Sequence, residues 1–323
     1  MPPGQGRPKM MRAPKMILCC GEALIDMLPR QTADGEVAFS PHAGGAVFNT
    51  AIALGRLGLN AGLFTGLSDD LFGSVLTDAL SASNVSSQLA ARSDRPTTLA
   101  FVKLTNGQAE YAFYDENTAG RMLQEADLPT DLGSVDTLFF GGISLAVEPC
   151  AQAYEALCLR EAVNRVIMID PNIRPGFIKN AAAYRARIDR MIAVSDIVKL
   201  SDEDLVWLRG AGDLAMLAHQ ILDQGAKMVC VTEGAQGVTA YTAQQTVRVA
   251  AAQVAVVDTV GAGDTFNAGV MASLSHAGLL RKSALADGLS AEAITTALTF
   301  GARVAAVTVS RAGANPPWAA ELE

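Results

Sequence analysis

The stretch VVDTVGAGDTF, residues 256–266, gives the strongest indication of both fold and chemistry. It predicts a strand that ends at Asp258, a turn of small residues, and a helix that begins near Thr265. Gly261 and Gly263 carry no Cβ, so backbone N–H groups can converge there, and the helix N-terminus adds a partial positive charge. The stretch therefore predicts an anion site beside the carboxylate of Asp264.

An anion site of this kind suits a phosphoryl group in transfer. An Asp held at that end of a helix stays ionised and can accept the proton of an alcohol while the phosphoryl group moves. A glycine-rich turn from strand to helix, with an Asp as its cap, also occurs without any function. On these residues alone both interpretations stay open.

Outward from this stretch, the chain alternates short β-rich runs with amphipathic helical runs. This alternation predicts crossover units and a mostly parallel sheet covered by helices, which is the α/β class. Runs such as VIMID at 166–170 and KMVCVT at 227–232 are almost continuously apolar. Strands buried on both faces have this composition.

Two segments interrupt the alternation, at about 31–42 and 96–115. In the second, TTLAFVKL and AEYAFY flank an Asn-Gly turn at Asn106–Gly107, a pattern typical of a hairpin. We interpret the two segments as strands of a small antiparallel sheet that projects from the main domain as a lid. An ordinary surface hairpin is the alternative.

The composition excludes several classes of protein. The chain has 323 residues, half of them hydrophobic, and a formal net charge of −8, so neither nucleic acid nor an anionic membrane is an expected partner. No run approaches the ~18 apolar residues that span a bilayer, and we expect a cytoplasmic protein.

The basic residues 1–15 predict a mobile tail. The cysteines and histidines show no metal-binding spacing, and the cysteines are expected to be reduced and buried.

The longer string D-T-x-G-A-G-D-T-F, at 258–266, resembles the C-terminal signature of the ribokinase (PfkB) family of carbohydrate kinases. The resemblance implies a ribokinase-like three-layer α/β/α domain over residues 16–323, with a mostly parallel central sheet and a small β-sheet lid. It also implies that Asp264 is the catalytic base. In the family the intervening amides form the anion hole, a role that passes here to Gly261, Ala262 and Gly263.

The N-terminal half carries a second match, AGGAVFNT at 43–50. It resembles the family's N-terminal signature, in which the diglycine and the Asn contact sugar hydroxyls, and so implies that role for Gly44, Gly45 and Asn49. Asp26 matches the acidic residue that binds two sugar hydroxyls in the family. A bidentate carboxylate suits vicinal hydroxyls, so the resemblance implies a polyol substrate.

The C-terminal half resembles the family's nucleotide and cation sites. VTEGAQG at 231–237 is similar to the strand and turn that lie under ATP, and residues 302–314 are similar to the region that flanks adenine and supplies carbonyls to a monovalent cation. The implied ATP contacts are Thr232, Gly234, Gly237, Ala302 and Ala305. The implied potassium site consists of Asp258, Val260, Thr308 and Gly313.

Two further matches resemble fructokinases and 2-keto-3-deoxygluconate kinases within the family. DPNIRP at 170–175 has their D-x-N-x-R-P form, in which the Arg, here Arg174, reaches toward substrate or phosphates. The lid aromatics, Phe113 among them, would cover a sugar face. The alternatives are that Arg174 only forms an ion pair and that the aromatics only pack the lid. One position departs from the family: Asp204 stands where many members have a Glu that orders magnesium-bound water.

Together these matches imply ATP-dependent transfer of the γ-phosphate to a sugar hydroxyl, with Mg²⁺ and K⁺ as cofactors. Fructose is the first choice of substrate; 2-keto-3-deoxygluconate, ribose or another ketose is the alternative, and a nucleoside is a more distant one. A catalytically idle sugar sensor on the same fold is the hypothesis from another class. The lid is also a candidate surface for a homodimer.

Overall fold

The computed structural model of the protein describes residues 15–105 and 108–323. The expected tail up to residue 14 and the Asn106–Gly107 turn lie outside the described residues. The α-helices within them are Ala46–Arg56 (α1), Leu71–Ala82 (α2), Cys150–Glu161 (α3), Ala181–Ile192 (α4), Asp202–Arg209 (α5), Leu214–Asp223 (α6), Ala262–His276 (α7), Lys282–Asp287 (α8) and Ala291–Val309 (α9).

Strands of the same part of the chain form three sheets. The strands are Met16–Cys20 (β1), Leu24–Gln31 (β2), Val37–Gly44 (β3), Ala61–Phe64 (β4), Gly66–Ser68 (β5), Val85–Ser86 (β6), Ala91–Ser93 (β7), Leu99–Thr105 (β8), Gln108–Tyr114 (β9), Val135–Gly141 (β10), Val166–Asp170 (β11), Ile197–Ser201 (β12), Met228–Thr232 (β13), Val238–Tyr241 (β14) and Thr246–Val249 (β15). The large sheet has the order β15-β14-β13-β12-β11-β10-β1-β4-β6, the small sheet has the order β3-β2-β8-β9, and β5 pairs with β7.

The large sheet is mostly parallel, as the alternation of the sequence predicts. From β6 to β13 every neighbouring pair is parallel, and only β14 and β15 add antiparallel strands at one edge. The carboxyl ends of β1, β10, β11, β12 and β13 therefore meet along one edge of the sheet. In open parallel sheets, ligands bind outside this edge.

Two hydrophobic clusters cover the two faces of the large sheet. In β1, Ile17 and Cys19 pack into one cluster with α1, α2, α7, α8 and α9, whereas Leu18 and Cys20 pack into the other with α3, α4, α5 and α6. Successive side chains of a strand point to opposite faces, so one strand supplies both cores. The domain is a three-layer α/β/α sandwich with a mostly parallel central sheet, and the prediction of this α/β class is confirmed.

Helices α7 and α9 approach each other closely through two glycines. A Cβ built on Gly269 would lie 2.7 Å from Cα of Gly301, and one on Gly301 would lie 2.9 Å from the ring of Phe266. Neither position can take a side chain without moving a helix. The N-terminus of α7 is thus held at a fixed distance from α9.

The small sheet begins earlier than the sequence suggests, because β2 starts at Leu24 and not near residue 31. The polar Asp26 and the following Pro29 interrupt the apolar alternation that marks a strand. Pairing of β2 with β8 stops at Met27, before Pro29, which has no N–H to donate. On one face of this sheet Phe101 packs edge-to-face with Phe39 at 4.9 Å and with Tyr114 at 5.4 Å.

The described residues agree with two further expectations about the chain. All five cysteines are buried and unpaired. Among residues 15–105 and 108–323 there is no helix with the length and hydrophobicity needed to cross a membrane.

Candidate active site

The candidate site lies where the N-termini of α1 and α7 meet the carboxyl edge of the large sheet. Asn49, in the first turns of α1, donates from Nδ2 to Oδ2 of Asp264 over 2.9 Å. The hydroxyl of Thr50 donates to the carbonyl oxygen of Asp264 over 3.1 Å. Two helices that start more than two hundred residues apart in sequence are therefore joined at the predicted base.

Asn172, in the loop after β11, places a second amide on Asp264. Its Nδ2 lies 3.4 Å from Oδ1 of Asp264, and its backbone N–H donates to Oδ1 of Asp170 over 3.1 Å. The residue has φ of 45°, a left-handed conformation that Asn tolerates better than most side chains. This explains why DPNIRP has Asn at its third position.

The Asp264 carboxyl is buried, with 6% of the residue exposed. Burial raises its pKa to about 7, the hydrogen bond from Asn49 acts against the rise, and the negative charge of Asp170 adds to it. The sequence predicts a permanently ionised Asp264. In the structure its pKa instead lies near neutrality, the range in which a carboxylate is an effective general base.

A buried network that the sequence analysis did not identify lies beneath Asp264. Lys199 on β12 forms an ion pair with Asp170 at 3.0 Å, and Nδ2 of Asn267 on α7 donates to the same Oδ2 atom over 2.7 Å. Burial alone would lower the pKa of Lys199, but attraction to Asp170 outweighs it and the pKa rises, so the ammonium stays charged. The signal in the sequence was a single charged residue in the apolar strand IVKLS.

The predicted anion-hole residues form the turn into α7. Gly261 caps the helix with φ of 80°, a left-handed conformation suited to glycine. A Cβ on Gly261 would lie 2.7 Å from that of Ala314, and one on Gly263 would lie 3.0 Å from Nζ of Lys199.

The N–H of Ala262 donates to the Thr259 carbonyl at 3.3 Å, whereas those of Gly261 and Gly263 have no acceptor among the described residues. Free N–H groups at a helix N-terminus fit a phosphate.

Asp26 faces the diglycine from β2. A Cβ on Gly44 would collide with Oδ2 of Asp26, so this approach requires glycine. No described residue donates a hydrogen bond to the Asp26 carboxylate, and burial raises its pKa to about 6. A half-buried carboxylate without donors is ready to accept hydroxyl groups from a ligand.

Glu22 holds the diglycine loop in place and is a further residue that sequence reasoning missed. It is 8% exposed, and its carboxylate accepts from the N–H of Ala46 over 3.1 Å and from that of Ser144 over 3.3 Å. Gly45 precedes Ala46 with φ of 110°, which favours glycine. Glu22 thus fixes the start of α1 against the loop after β10.

Two of the predicted substrate-binding residues, Arg174 and Phe113, make their described contacts with residues other than Asp264. Arg174 is exposed, and its Nη1 donates to the neighbouring carbonyl of Ile173 over 3.0 Å. Phe113 on β9 packs edge-to-face against Phe177 with ring centroids 4.2 Å apart. This contact connects the small sheet to the loop that carries DPNIRP.

The predicted nucleotide residues lie on β13, on the turn after it and on α9. Thr232 ends β13, with its hydroxyl 3.4 Å from the carbonyl of Leu200. Gly234 and Gly237 have φ of 54° and 101°, and the space around Gly234 is open. Ala302 and Ala305 are half-buried positions of α9. The side chain of the intervening Glu233 is held by Thr239 at 3.3 Å and by Arg248 at 3.4 Å.

Two of the predicted potassium residues, Val260 and Gly313, are joined to a third, Asp258. Its two carboxylate oxygens accept the N–H groups of Val260 at 3.0 Å and of Gly313 at 2.9 Å. The methyl carbon of Thr308 lies 3.7 Å from the position of a Cβ on Gly261. An oxygen ligand such as the Asp258 carboxylate suits a hard monovalent cation, so Asp258 fits K⁺, whereas the hydroxyl of Thr308 donates to the carbonyl of Val304 over 3.0 Å.

No cluster of three or more His, Cys, Asp or Glu side chains suited to a metal ion occurs within 15–105 and 108–323. Mg²⁺ usually keeps several waters and is held by one or two carboxylates together with substrate phosphates. Asp204 fits such a role, since it is a buried carboxylate whose Oδ1 accepts the N–H of Ile173, in the loop after β11, over 3.2 Å. Burial raises the pKa of Asp204 to about 6, with the charge of Asp170 adding to the rise.

Comparison with known proteins agrees with this arrangement. A family model described as pfkB family carbohydrate kinase matches residues 14–321. A fructokinase of Rhizobium leguminosarum bv. trifolii is 59% identical over 273 residues, which cover 84% of this chain and 83% of that protein.

Solved structures agree as well. A fructokinase with bound ATP from Xylella fastidiosa has a TM-score of 0.84 at 29% identity and is matched over 94% of each chain. A fructokinase double mutant from Vibrio cholerae, solved with fructose, ADP and a potassium ion, has a TM-score of 0.81 over 94% of this chain and 95% of that one. At 24% identity the latter shows the shared fold alone. The chain belongs to the pfkB family of carbohydrate kinases and is an ATP-dependent sugar kinase.

Proposed function

We propose that the protein is a fructokinase, with Asp264 as the base that activates the reacting hydroxyl of the sugar. The observation that carries the proposal is the geometry around Asp264. A buried carboxylate with a pKa of about 7 lies at the N-terminus of α7 and is held by Asn49, on the same helix start as the diglycine. The 59% identical fructokinase supports fructose as the substrate.

In the proposed reaction, ATP supplies the γ-phosphoryl group. A bond forms between the sugar oxygen and the γ-phosphorus, the bond from that phosphorus to the bridging oxygen breaks, and ADP leaves with the electron pair. The hydroxyl proton passes to the Asp264 carboxylate. Asn49 and Asn172 orient that carboxylate. The free N–H groups of Gly261 and Gly263 face the negatively charged phosphoryl group in transfer.

Sugar binding is assigned to Asp26, Gly44, Gly45 and Asn49. The unpaired Asp26 carboxylate can accept two hydroxyl hydrogens, and Gly44 leaves room for a ligand beside it. Asn49 joins this side of the site to the base, so the same helix start orients sugar and catalyst. Arg174 and Phe113 complete the proposed substrate contacts from the loop after β11 and from the small sheet.

For the nucleotide we propose contacts at Thr232, Gly234, Gly237, Ala302 and Ala305. We assign Mg²⁺ to water-mediated contact with Asp204 and K⁺ to Asp258, Val260, Thr308 and Gly313. The bond from the Ile173 N–H to the Asp204 carboxylate supports the first assignment, and the bonds that join Asp258 to Val260 and Gly313 support the second.

The small sheet is proposed to act as a lid and to pair two subunits. Phe39 and Tyr114 are large side chains on one face of it with 41% and 62% exposure. Exposed aromatics that already pack on a shared Phe101 form an apolar face that a second copy of this chain could cover. The contact of Phe113 with Phe177 supports a lid that lies over the DPNIRP loop.

A panel of sugars tests the proposed substrate. With Mg²⁺ and K⁺ present, fructose should give the highest kcat/KM for ADP release, above ribose, other ketoses, 2-keto-3-deoxygluconate and a nucleoside. The Asp264→Asn variant serves as the blank. A higher kcat/KM for any other member would replace fructose as the substrate, and ADP release from none of them would favour the idle sugar sensor.

Monovalent cations should change the activity. Because Asp258 links the turn before α7 to the C-terminal stretch, a cation bound there should stabilise the anion-hole turn. Activity should rise severalfold when K⁺ replaces tetramethylammonium at constant ionic strength, and Asp258→Asn should abolish the difference. Equal rates in the two salts would remove the proposed potassium site.

A further inference from the structure

Lys199 lies in apolar surroundings, where burying a positive charge lowers the stability of the fold. It sits on β12 between fully buried apolar residues and is itself 5% exposed. A buried charge must be paired and hydrogen-bonded to be tolerated. Its only partner among the described residues is Asp170, at 3.0 Å, and Asp170 is 1% exposed.

The pairing leaves part of the ammonium group unused. An ammonium has three N–H donors, and Oδ2 of Asp170 is the only acceptor for Nζ of Lys199 within 15–105 and 108–323. The same Oδ2 atom also accepts from Nδ2 of Asn267. The pair therefore does not satisfy the hydrogen-bonding capacity of Lys199.

The unused donors lie beside the anion-hole turn. Nζ is 3.0 Å from the position that a Cβ on Gly263 would take. The absence of that Cβ leaves the space next to Gly263 to the ammonium. The N–H of Gly263 in the same turn has no acceptor among the described residues.

A positive side chain under a helix N-terminus adds to the positive potential of the helix end. The neighbouring carboxylates of Asp170 and Asp264 offset it only in part, since Asp264 takes up the proton of the sugar hydroxyl during the reaction. An anion with several oxygens would satisfy both the ammonium and the free N–H groups.

On this basis we propose that Lys199 is a further catalytic residue, whose ammonium donates a hydrogen bond to an oxygen of the phosphoryl group in transfer. The inference rests on the proposed phosphoryl transfer. In the transition state negative charge is spread over the oxygens of that group, which bound ADP lacks, so the interaction stabilises the transition state more than bound ADP.

The test compares Lys199→Met with a matched control, Lys282→Met. Lys282 also pairs with a buried carboxylate, Asp196, at 2.8 Å, and that Asp precedes the opposite end of β12. We expect Lys199→Met to lower kcat about 10- to 100-fold, the size of one hydrogen bond to a charged group, and Lys282→Met to change kcat less than about 3-fold. Inhibition by ADP with aluminium fluoride should weaken by a similar factor in Lys199→Met, while the Kd of ADP alone stays within about 3-fold.

Two further measurements separate direct contact from a structural role. If Lys199 only lowers the pKa of Asp264, the loss of kcat should disappear at alkaline pH; if it only balances Asp170, the double variant Asp170→Asn/Lys199→Met should regain the activity. Either recovery would overturn the proposal. An equal loss of affinity for ADP alone and for ADP with aluminium fluoride would overturn it as well. The double variant, which removes both charges, also serves if Lys199→Met fails to fold. An active wild type with an unimpaired Lys199→Met would refute this inference alone, whereas a wild type inactive on every sugar would refute the proposed function.

Discussion

Replacing Asp264 by Asn should lower kcat by at least ~10²-fold, the low end of the contribution that a general base makes. An amide cannot take up the hydroxyl proton, yet it has the shape of the carboxylate and can still accept from Asn49. The fold and the Kd of ATP should therefore change little. Calorimetric ATP binding and the thermal unfolding midpoint check this, with the exposed Asp287→Asn as the matched control.

The same residue should set the pH dependence. Burial raises the pKa of Asp264 to about 7, so the proton must leave before the carboxylate can act as a base. The wild-type kcat/KM for fructose should rise with pH and level off above about pH 7, and the residual activity of Asp264→Asn should lack this rise. Near-normal turnover in Asp264→Asn, or an unchanged pH profile, would refute the role of Asp264.

Replacing Asp26 by Ala should lower kcat/KM for the sugar by about two orders of magnitude or more. A hydrogen bond to a charged group contributes roughly 1.5–3 kcal/mol, and the Asp26 carboxylate, to which none of residues 15–105 and 108–323 donates, offers two oxygens to two hydroxyls. KM should rise and kcat should fall together, because the same bonds hold and orient the reacting alcohol. Initial-rate kinetics on fructose, with ATP saturating, measure both effects.

Nucleotide binding separates this role from a structural one. ATP affinity should stay unchanged in Asp26→Ala, since Asp26 lies on β2 in the small sheet. The exposed Asp34→Ala, in the turn after β2, removes a carboxylate from the same segment without touching the site. An equal loss of affinity for sugar and nucleotide would mean that Asp26 supports the fold, and no loss for the sugar would place the substrate pocket elsewhere.

The sequence predicts those parts of the site that are carried by short contiguous segments. The turn at 258–266 and the helix start at 43–50 are local, and their glycines indicate where a backbone must come close to a ligand. The alternation of strands and helices likewise predicts the parallel sheet, because each crossover unit follows from neighbouring segments.

The parts that escaped prediction depend on distant segments or on burial. Lys199 lies on β12, Asp170 on β11 and Asn267 on α7. Only folding brings Lys199 and Asn267 to the same carboxylate oxygen of Asp170. The bond from Asn49 to Asp264 joins positions 215 residues apart. The raised pKa of Asp264 follows from removal of water around it, which no local pattern records.

The close contact between Gly269 and Gly301 affects how the activity of related chains should be inferred from their sequences. Helix α7 begins with the anion-hole turn, and α9 leads into the stretch around Gly313, so one glycine contact sets the spacing of two binding loops. Neither glycine contributes an atom to a ligand. A gene that keeps every signature residue but encodes a larger side chain at either glycine would therefore specify a kinase with intact motifs and misplaced loops, and a search by motif alone would count it as active.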